Sequence, residues 1–239
     1  MLLFSIGLVT GIYQSVFSHT VKRKDVKMVG FSKETKVHIF LFILVIAVFV
    51  WSVIKPAVFM TWVAEVGPAV AALIVVVATY NKFRLTTLSY FIIALLSILT
   101  FIGGHYTYAE VPLFNWLKEE FHLARNHYDR FGHFLKGLSV IVIREILLRK
   151  TPLFKGSWLT GISISMVLAL AALYEIVEWL STKLPNAKKV AKDFLGMQGD
   201  QWDAQWDMSC ALLGAILSIL ILNGLHNRLM TKLDDLKER

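Results

Sequence analysis

The sequence predicts an all-α fold, a polytopic integral membrane helix bundle with six or seven spans. Of its 239 residues, 56% are hydrophobic and only 18% are charged, and the mean hydropathy is +0.60. A water-exposed surface does not tolerate so apolar a composition, which argues against a soluble globular protein. Six apolar runs have the length of about 20 residues that a helix needs to cross a hydrocarbon layer.

The predicted spans follow one another along the chain near residues 37–54, 57–80, 86–104, 131–148, 157–180 and 206–224. We expect each to be a helix, because lipid offers the backbone no hydrogen-bond partner. A further run, residues 1–17, is uncharged but lacks the positive segment and cleavage site of a signal peptide. It is interpreted as a marginal first span or as a start assigned too far upstream.

We expect three segments in the chain. Residues 1–36 carry the marginal span and a basic cytoplasmic segment, residues 37–224 form the transmembrane helical domain, and residues 225–239 form a solvated cytoplasmic tail. The one cysteine, Cys210, lies in an apolar run and excludes an internal disulfide.

The positive charges predict the orientation. Of the 25 Lys and Arg residues, 15 fall in one alternating set of loops and eight in the opposite set. Since positively charged loops stay in the cytoplasm, the C-terminus is predicted to be cytoplasmic and the loops near 105–130 and 181–205 to lie outside. The net charge of +8 therefore reflects membrane topology, with lipids as partners, and does not indicate nucleic-acid binding.

Polar residues are concentrated at the predicted outer ends of the later spans. Intramembrane charges cost roughly 2.5–3.5 kcal/mol each on insertion scales, so such residues normally face the bundle interior and mark a function. The first motif, residues 103–112, places His105 and Glu110 at this boundary. They are candidates for a metal-ligand or acid/base pair. An interfacial belt that bonds lipid headgroups explains them equally well.

The second motif, residues 126–134, places Asp129 and His133 four residues apart, on one face of a helix. This pair is half of a divalent metal site or an oriented general base. The alternative is that Asp129 caps the helix while Arg130 anchors phosphate headgroups.

The third motif, residues 174–179, places Glu175 and Glu178 on adjacent turns near the outer end of a span. Two carboxylates this close in an apolar setting are not both ionised unless a cation joins them. The pattern is typical of a proton carrier, a general acid or a hard-cation site. Simple solvation at the helix end is the alternative.

The fourth motif, residues 196–208, is the densest in polar groups. If its helix begins by Asp200, then Asp200, Asp203 and Asp207 form one stripe that runs into the membrane. Small residues further along this span permit close helix packing; they are Ala211, Gly214, Ala215 and Ser218. Elsewhere, Arg144 and Glu145 need partners on other helices or lie at the inner boundary close to Arg149 and Lys150, and a buried ion pair is the favoured interpretation.

These motifs resemble the uncharacterised bacterial inner-membrane family that is typified by YjdF, over roughly residues 35–225. The resemblance rests on HYTYAEVPL at 105–113, YDRFGHF at 128–134, YEIVEW at 174–179 and GMQGDQWDAQWDM at 196–208, with RE at 144–145. It implies a multi-pass protein of the bacterial inner membrane and supplies no catalytic assignment. A fainter resemblance to VanZ-like membrane proteins is only an analogy.

Three functions fit these observations. The leading hypothesis is a metal-assisted hydrolase or transferase that acts on an envelope lipid or lipid-linked substrate at the outer face. Its catalytic candidates are Glu175, Glu178, Asp203, Asp207 and His105, and its metal-ligand candidates are Asp129, His133, Glu110 and Asp200; the ion is Mg²⁺, Mn²⁺ or Zn²⁺. No other cofactor is indicated. A dense Arg/Lys pocket of the kind that favours phosphoryl transfer is not evident.

The second hypothesis is a proton- or cation-coupled transporter, although neither repeat symmetry nor a broken helix is evident in the sequence. The third is a structural membrane protein without catalysis, in which the polar cluster seals the bundle.

Overall fold

A computed structural model describes residues 32–183 and 195–235 of the chain. The predicted span at 1–17, the first basic segment and most of the loop after residue 183 lie outside the described residues. Within these ranges the regular structure is helical throughout. The described residues from Val37 onward form one compact unit.

Eight helices make up the described chain. They are α1 Lys33–Val53, α2 Phe59–Thr79, α3 Thr87–His105, α4 Pro112–Glu120, α5 Tyr128–Lys136, α6 Ser139–Lys150, α7 Ser157–Ser181 and α8 Asp203–Asp235. By length and composition, α1, α2, α3, α7 and α8 are apolar enough to cross a membrane. Their positions match five of the predicted spans, and the polytopic helical fold is confirmed.

The remaining predicted span, 131–148, is divided in two. The chain from Tyr128 to Lys150 forms α5 and α6, with a break at Gly137 and Leu138. The Gly137 N–H donates to the Phe134 carbonyl at 3.2 Å and the Leu138 N–H to Leu135 at 2.9 Å, so the junction is a tight turn with bonds three residues apart. The predicted span at 131–148 is therefore two helices and not one continuous helix.

Helix α8 is the centre of the packing, because it contacts α3, α5, α6 and α7. Its small residues form the closest contact. A Cβ added to Gly137 would lie 2.7 Å from Gly214 Cα, and one added to Gly214 would overlap the carbonyl group of Phe134. The predicted close packing along this helix is confirmed, since Ala211 and Ala215 are buried in the same interface.

Two further features differ from the sequence-based expectations. Helix α8 continues for eleven residues beyond the predicted span end at 224, and His226 and Met230 in this extension are buried. Trp62 lies near the predicted outer end of its span, where a tryptophan is expected at the membrane interface, but it is buried, and its Nε1 donates to Ser52 Oγ at 3.2 Å.

Candidate functional site

A cluster of carboxylates lies at the end of the bundle where α7 ends and α8 begins. Helix α5 supplies Asp129 and His133, α7 supplies Glu175 and Glu178, and α8 supplies Asp203 and Asp207. The members of each pair are three or four residues apart, so each helix presents both on one face. A rise of 1.5 Å per residue places all six within about 10 Å of the nearest helix end. The cluster therefore occupies one level of the bundle.

His133, Glu175 and Asp207 form the first set of potential metal ligands. One ligand atom of each lies within 4.8 Å of the other two, and His133 Nε2 is 3.8 Å from Glu175 Oε1. The exposed fractions of the three residues are 1%, 9% and 2%. In each residue one buried atom lacks a hydrogen-bond partner; these atoms are His133 Nδ1, Glu175 Oε1 and Asp207 Oδ1. An unpartnered buried polar group is costly, so the two carboxylate oxygens are candidate ligand atoms.

Asp129, Asp203 and Asp207 form a second set, with one oxygen of each within 4.8 Å of the others. Asp207 belongs to both sets, and Asp129 Oδ1 also lies 3.7 Å from His133 Nε2. An all-oxygen set suits Mg²⁺ or Mn²⁺, whereas the set with an imidazole suits Mn²⁺ or Zn²⁺. The arrangement can hold one divalent ion, or two that share Asp207.

Lys136 places a positive charge inside the cluster. Its Nζ lies 3.1 Å from His133 Nε2 and 4.5 Å from the centre of the Tyr174 ring. An ammonium group has only donors, so Nε2 accepts this hydrogen bond. The ammonium thus occupies the position that a metal ion bound to Nε2 would take. Lys136 follows His133 by three residues on the same helix face, a spacing that could have revealed it.

Glu65 extends the cluster to α2. It is 4% exposed, and its Oε2 accepts a hydrogen bond of 2.6 Å from the Tyr174 hydroxyl. Sequence reasoning missed this residue, although it is the one Asp, Glu, Lys, Arg or His residue in the predicted span at 57–80. An intramembrane carboxylate is by itself a signal of function.

Two arginines close the cluster on the side of the loop before α8. Arg125 pairs with Asp203, and its guanidinium also donates to the carbonyls of Gly196 and Met197 at 3.4 Å. Arg130 pairs with Asp200 and lies 5.4 Å from the centre of the Trp206 ring. The sequence did not suggest an arginine-rich pocket, because Arg125 is 78 residues from its partner.

Asp200 lies outside the predicted stripe, because α8 begins at Asp203. The Trp202 N–H donates to Asp200 Oδ1 at 2.9 Å. This hydrogen bond and the Arg130 guanidinium lower the pKa of the Asp200 carboxyl below its usual value. Asp200 thus engages Arg130 instead of the two ligand sets. Its assignment as a metal ligand stays a prediction, as do the other site assignments.

His105 and Glu110 are not brought into the cluster. His105 Nδ1 lies 3.0 Å from the Ser52 carbonyl oxygen, and its ring lies 4.3 Å from the Trp51 ring. Glu110 is exposed and accepts a hydrogen bond of 3.0 Å from Asn115. These contacts fit residues at the membrane interface better than members of one metal or acid/base site.

Arg144 and Glu145 belong to a separate buried network with partners on other helices. Arg144 donates to His226 Nδ1 at 2.7 Å. Glu145 accepts from the Thr86 N–H at 2.8 Å and the Ser89 hydroxyl at 2.6 Å, and pairs with Arg149 at 3.0 Å. The network joins α3, α6 and α8 near the opposite helix ends. The two residues share His226 and do not form a pair with each other.

The long apolar helices and the polar cluster between them define a polytopic helical membrane protein with a buried acidic site. Residues 37–228 match the family described as Predicted membrane protein (DUF2238), and the chain belongs to that family. It is similar to Inner membrane protein YjdF of Escherichia coli (strain K12), with 41% identity over 170 residues, which cover 71% of this chain and 80% of that protein. No solved structure matches. The predicted YjdF-like membership is confirmed, and the likeness to VanZ-like proteins stays a prediction.

Proposed function

We propose that the cluster binds a divalent metal ion and that the protein is a metal-assisted hydrolase or transferase acting on an envelope lipid. The observation that carries the proposal is the convergence of His133, Glu175 and Asp207, in which Glu175 Oε1 and Asp207 Oδ1 are buried without a hydrogen-bond partner. They come from three different helices, so ordinary packing of one helix does not explain their convergence. An ion bound by these three residues would give the two unpartnered carboxylate oxygens a partner.

The charge of the cluster supports a cation. Among the described residues, three positive groups, those of Arg125, Arg130 and Lys136, adjoin seven carboxyl groups, those of Glu65, Asp129, Glu175, Glu178, Asp200, Asp203 and Asp207. The Arg130–Asp200 pair is neutral by itself. With every group ionised, four negative charges would remain without compensation in a largely buried pocket. Bound divalent ions or protons must neutralise them.

The roles of the residues follow from this arrangement. A divalent ion would act as a Lewis acid and favour deprotonation of water. His133, Glu175 and Asp207 would hold it, with Asp129 and Asp203 as further ligands. Glu178 lies one turn beyond Glu175, is 5% exposed and belongs to neither ligand set. We assign it as the general base.

A lipid substrate is supported by the surroundings of the cluster. Trp179, Trp202 and Trp206 flank it and are 54%, 56% and 52% exposed, as expected for aromatic residues at a membrane interface. The distribution of Lys and Arg predicts that this end faces outward. The proposed location is therefore the outer face of the inner membrane.

The metal site is tested by thermal unfolding of the purified full chain with Mg²⁺, Mn²⁺, Zn²⁺ or no divalent ion. We expect at least one ion to raise the unfolding midpoint of the wild type and to have little effect on His133→Ala and Asp207→Asn. The matched controls are His105→Ala and Glu110→Gln, which should keep the full shift. An equal shift in all five proteins would refute the assignment.

A proton- or cation-coupled transporter is the second candidate, and the break between α5 and α6 favours it. This break lies next to His133 and Lys136, and interrupted helices are common at transporter ion sites. Ion flux into proteoliposomes distinguishes the two functions. Uptake that is lost in Glu65→Gln would favour transport, whereas lipid turnover without ion flux would favour the enzyme.

A further inference from the structure

Two buried arginine donors lie at the edge of the candidate metal site. The Nε–H groups of Arg125 and Arg130 are buried and have no hydrogen-bond partner, and Arg125 is only 4% exposed. A guanidinium offers five donors in a fixed plane, and a buried donor without an acceptor is costly. Each side chain therefore has binding capacity that its present contacts do not use.

The acceptors that these arginines do have are mainly anions. Arg125 donates to Asp203, and Arg130 pairs with Asp200 and lies 3.6 Å from Asp203 Oδ1. Asp203 is also a member of the second ligand set. The arginines and the candidate cation site thus share a carboxylate and adjoin each other.

We propose that Arg125 and Arg130 bind a phosphate group of the substrate beside the metal ion. This inference rests on the proposed function and names its substrate class, a phosphate-bearing lipid. Guanidinium groups match the geometry of phosphate oxygens and bind them through paired hydrogen bonds. A metal ion that draws Asp203 toward itself would free donors of Arg125.

At Arg130, the phosphate would take the place of the Asp200 carboxylate. The Asp200 side chain is 27% exposed, and the residue lies before α8 begins. Asp200 can therefore move away from Arg130 without unwinding the helix. A phosphate carries more charge and more acceptor oxygens than the carboxylate that it would replace. The bound metal ion offsets the repulsion between this anion and the neighbouring carboxylates.

The test uses the full chain in a phosphate-free maltoside detergent, loaded with Mn²⁺ and freed of excess ion. Electron paramagnetic resonance reports the bound Mn²⁺, and broadening of the ³¹P resonance reports phosphorus held near it. The two phosphate probes are inorganic phosphate and dioctanoyl phosphatidic acid, and dioctanoylglycerol is the competitor without phosphate. The variants are Arg130→Gln and Arg130→Lys, with Arg228→Gln, an exposed arginine in the last part of α8, as control.

We expect ³¹P broadening for the wild type and Arg228→Gln, and an affinity lower by about tenfold in Arg130→Gln with Mn²⁺ loading unchanged. Arg130→Lys should recover only part of the loss. Broadening of phosphatidic acid alone assigns the site to a lipid headgroup, and broadening of both probes assigns it to phosphate in general. Bound Mn²⁺ without ³¹P broadening, or displacement by dioctanoylglycerol, overturns the phosphate site alone. Absence of bound Mn²⁺ overturns the proposed function and this inference together.

Discussion

At the scale of single residues, the central feature is a lysine among carboxylates. Lys136 Nζ lies 3.1 Å from His133 Nε2, where it partly neutralises the cluster and blocks one ligand atom. In the proposed account a metal ion must displace this ammonium group. The lysine is therefore a stabilising charge without metal and a competitor when metal is present.

Replacing this lysine separates the two effects. We expect Lys136→Met to lower the thermal unfolding midpoint without metal, because negative charges lose a neighbour, and to raise the affinity for Mn²⁺ at least about tenfold. Lys183→Met, an exposed lysine after α7, is the control and should change neither. Isothermal titration of Mn²⁺ together with a melting curve measures both. Weaker Mn²⁺ binding in Lys136→Met would show that the lysine does not compete.

The hydrogen bond between Tyr174 and Glu65 gives a second prediction at this scale. Tyr174→Phe removes the hydroxyl that donates to the buried Glu65 carboxylate at 2.6 Å. We expect a loss of roughly 1–3 kcal/mol in the free energy of unfolding, read as a lower unfolding midpoint. Tyr106→Phe is the control with the same chemical change. A midpoint equal to the wild type for Tyr174→Phe would contradict the importance of this bond.

Sequence reasoning found those site residues that share a helix. Asp129 with His133, and Glu175 with Glu178, are paired by helical periodicity, which requires only local structure. Glu65 and Arg125 reach the cluster through tertiary packing, and no spacing in one sequence encodes that meeting. For Asp200, an incorrect helix start of only three residues placed a loop residue on the stripe.

At the scale of helices, the site depends on the close crossing of α8 with the junction between α5 and α6. Gly137 and Gly214 meet there without side chains, and His133 and Asp207 lie within two turns of the contact. The apolar run at 131–148 predicts a span but not its division, because hydropathy does not distinguish a continuous helix from two joined by a tight turn.

This crossing is tested by adding one methyl group. We expect Gly214→Ala to destabilise the protein by about 1–3 kcal/mol, because the new Cβ would overlap the Phe134 carbonyl. Gly161→Ala in α7, which has nothing within 4 Å of its Cβ position, should be neutral or stabilising, as alanine favours helix. Melting curves of both variants supply the comparison. Equal midpoints would show that the helices are not so closely packed.

At the scale of the whole molecule, polar groups are divided between two levels of the bundle. The acidic cluster lies near one set of helix ends, and the Glu145 network lies near the other. Composition alone predicts the membrane fold, since transfer of long apolar runs into lipid dominates. It does not predict which interior carboxylates are satisfied: Glu145 is fully hydrogen-bonded, whereas Glu175 and Asp207 each retain an unpartnered atom.

The distribution of Lys and Arg predicts that the end of the bundle with the acidic cluster faces outward. In a variant whose single cysteine is changed, Cys210→Ser, we add Glu119→Cys on α4 or Arg228→Cys on α8. A membrane-impermeant maleimide should label the first on intact spheroplasts and the second only after permeabilisation, because α4 is predicted to lie outside. The reverse pattern would place the acidic cluster on the cytoplasmic side.

The most direct test of the central claim is metal stoichiometry combined with X-ray absorption spectroscopy of the bound ion. Our account predicts at least one divalent ion per chain, coordinated by oxygen atoms and by one imidazole whose signal disappears in His133→Ala. Asp207→Asn should lose most of the metal. A metal-free protein that cannot be loaded, or one whose metal content and spectrum are unchanged in both variants, would contradict the account.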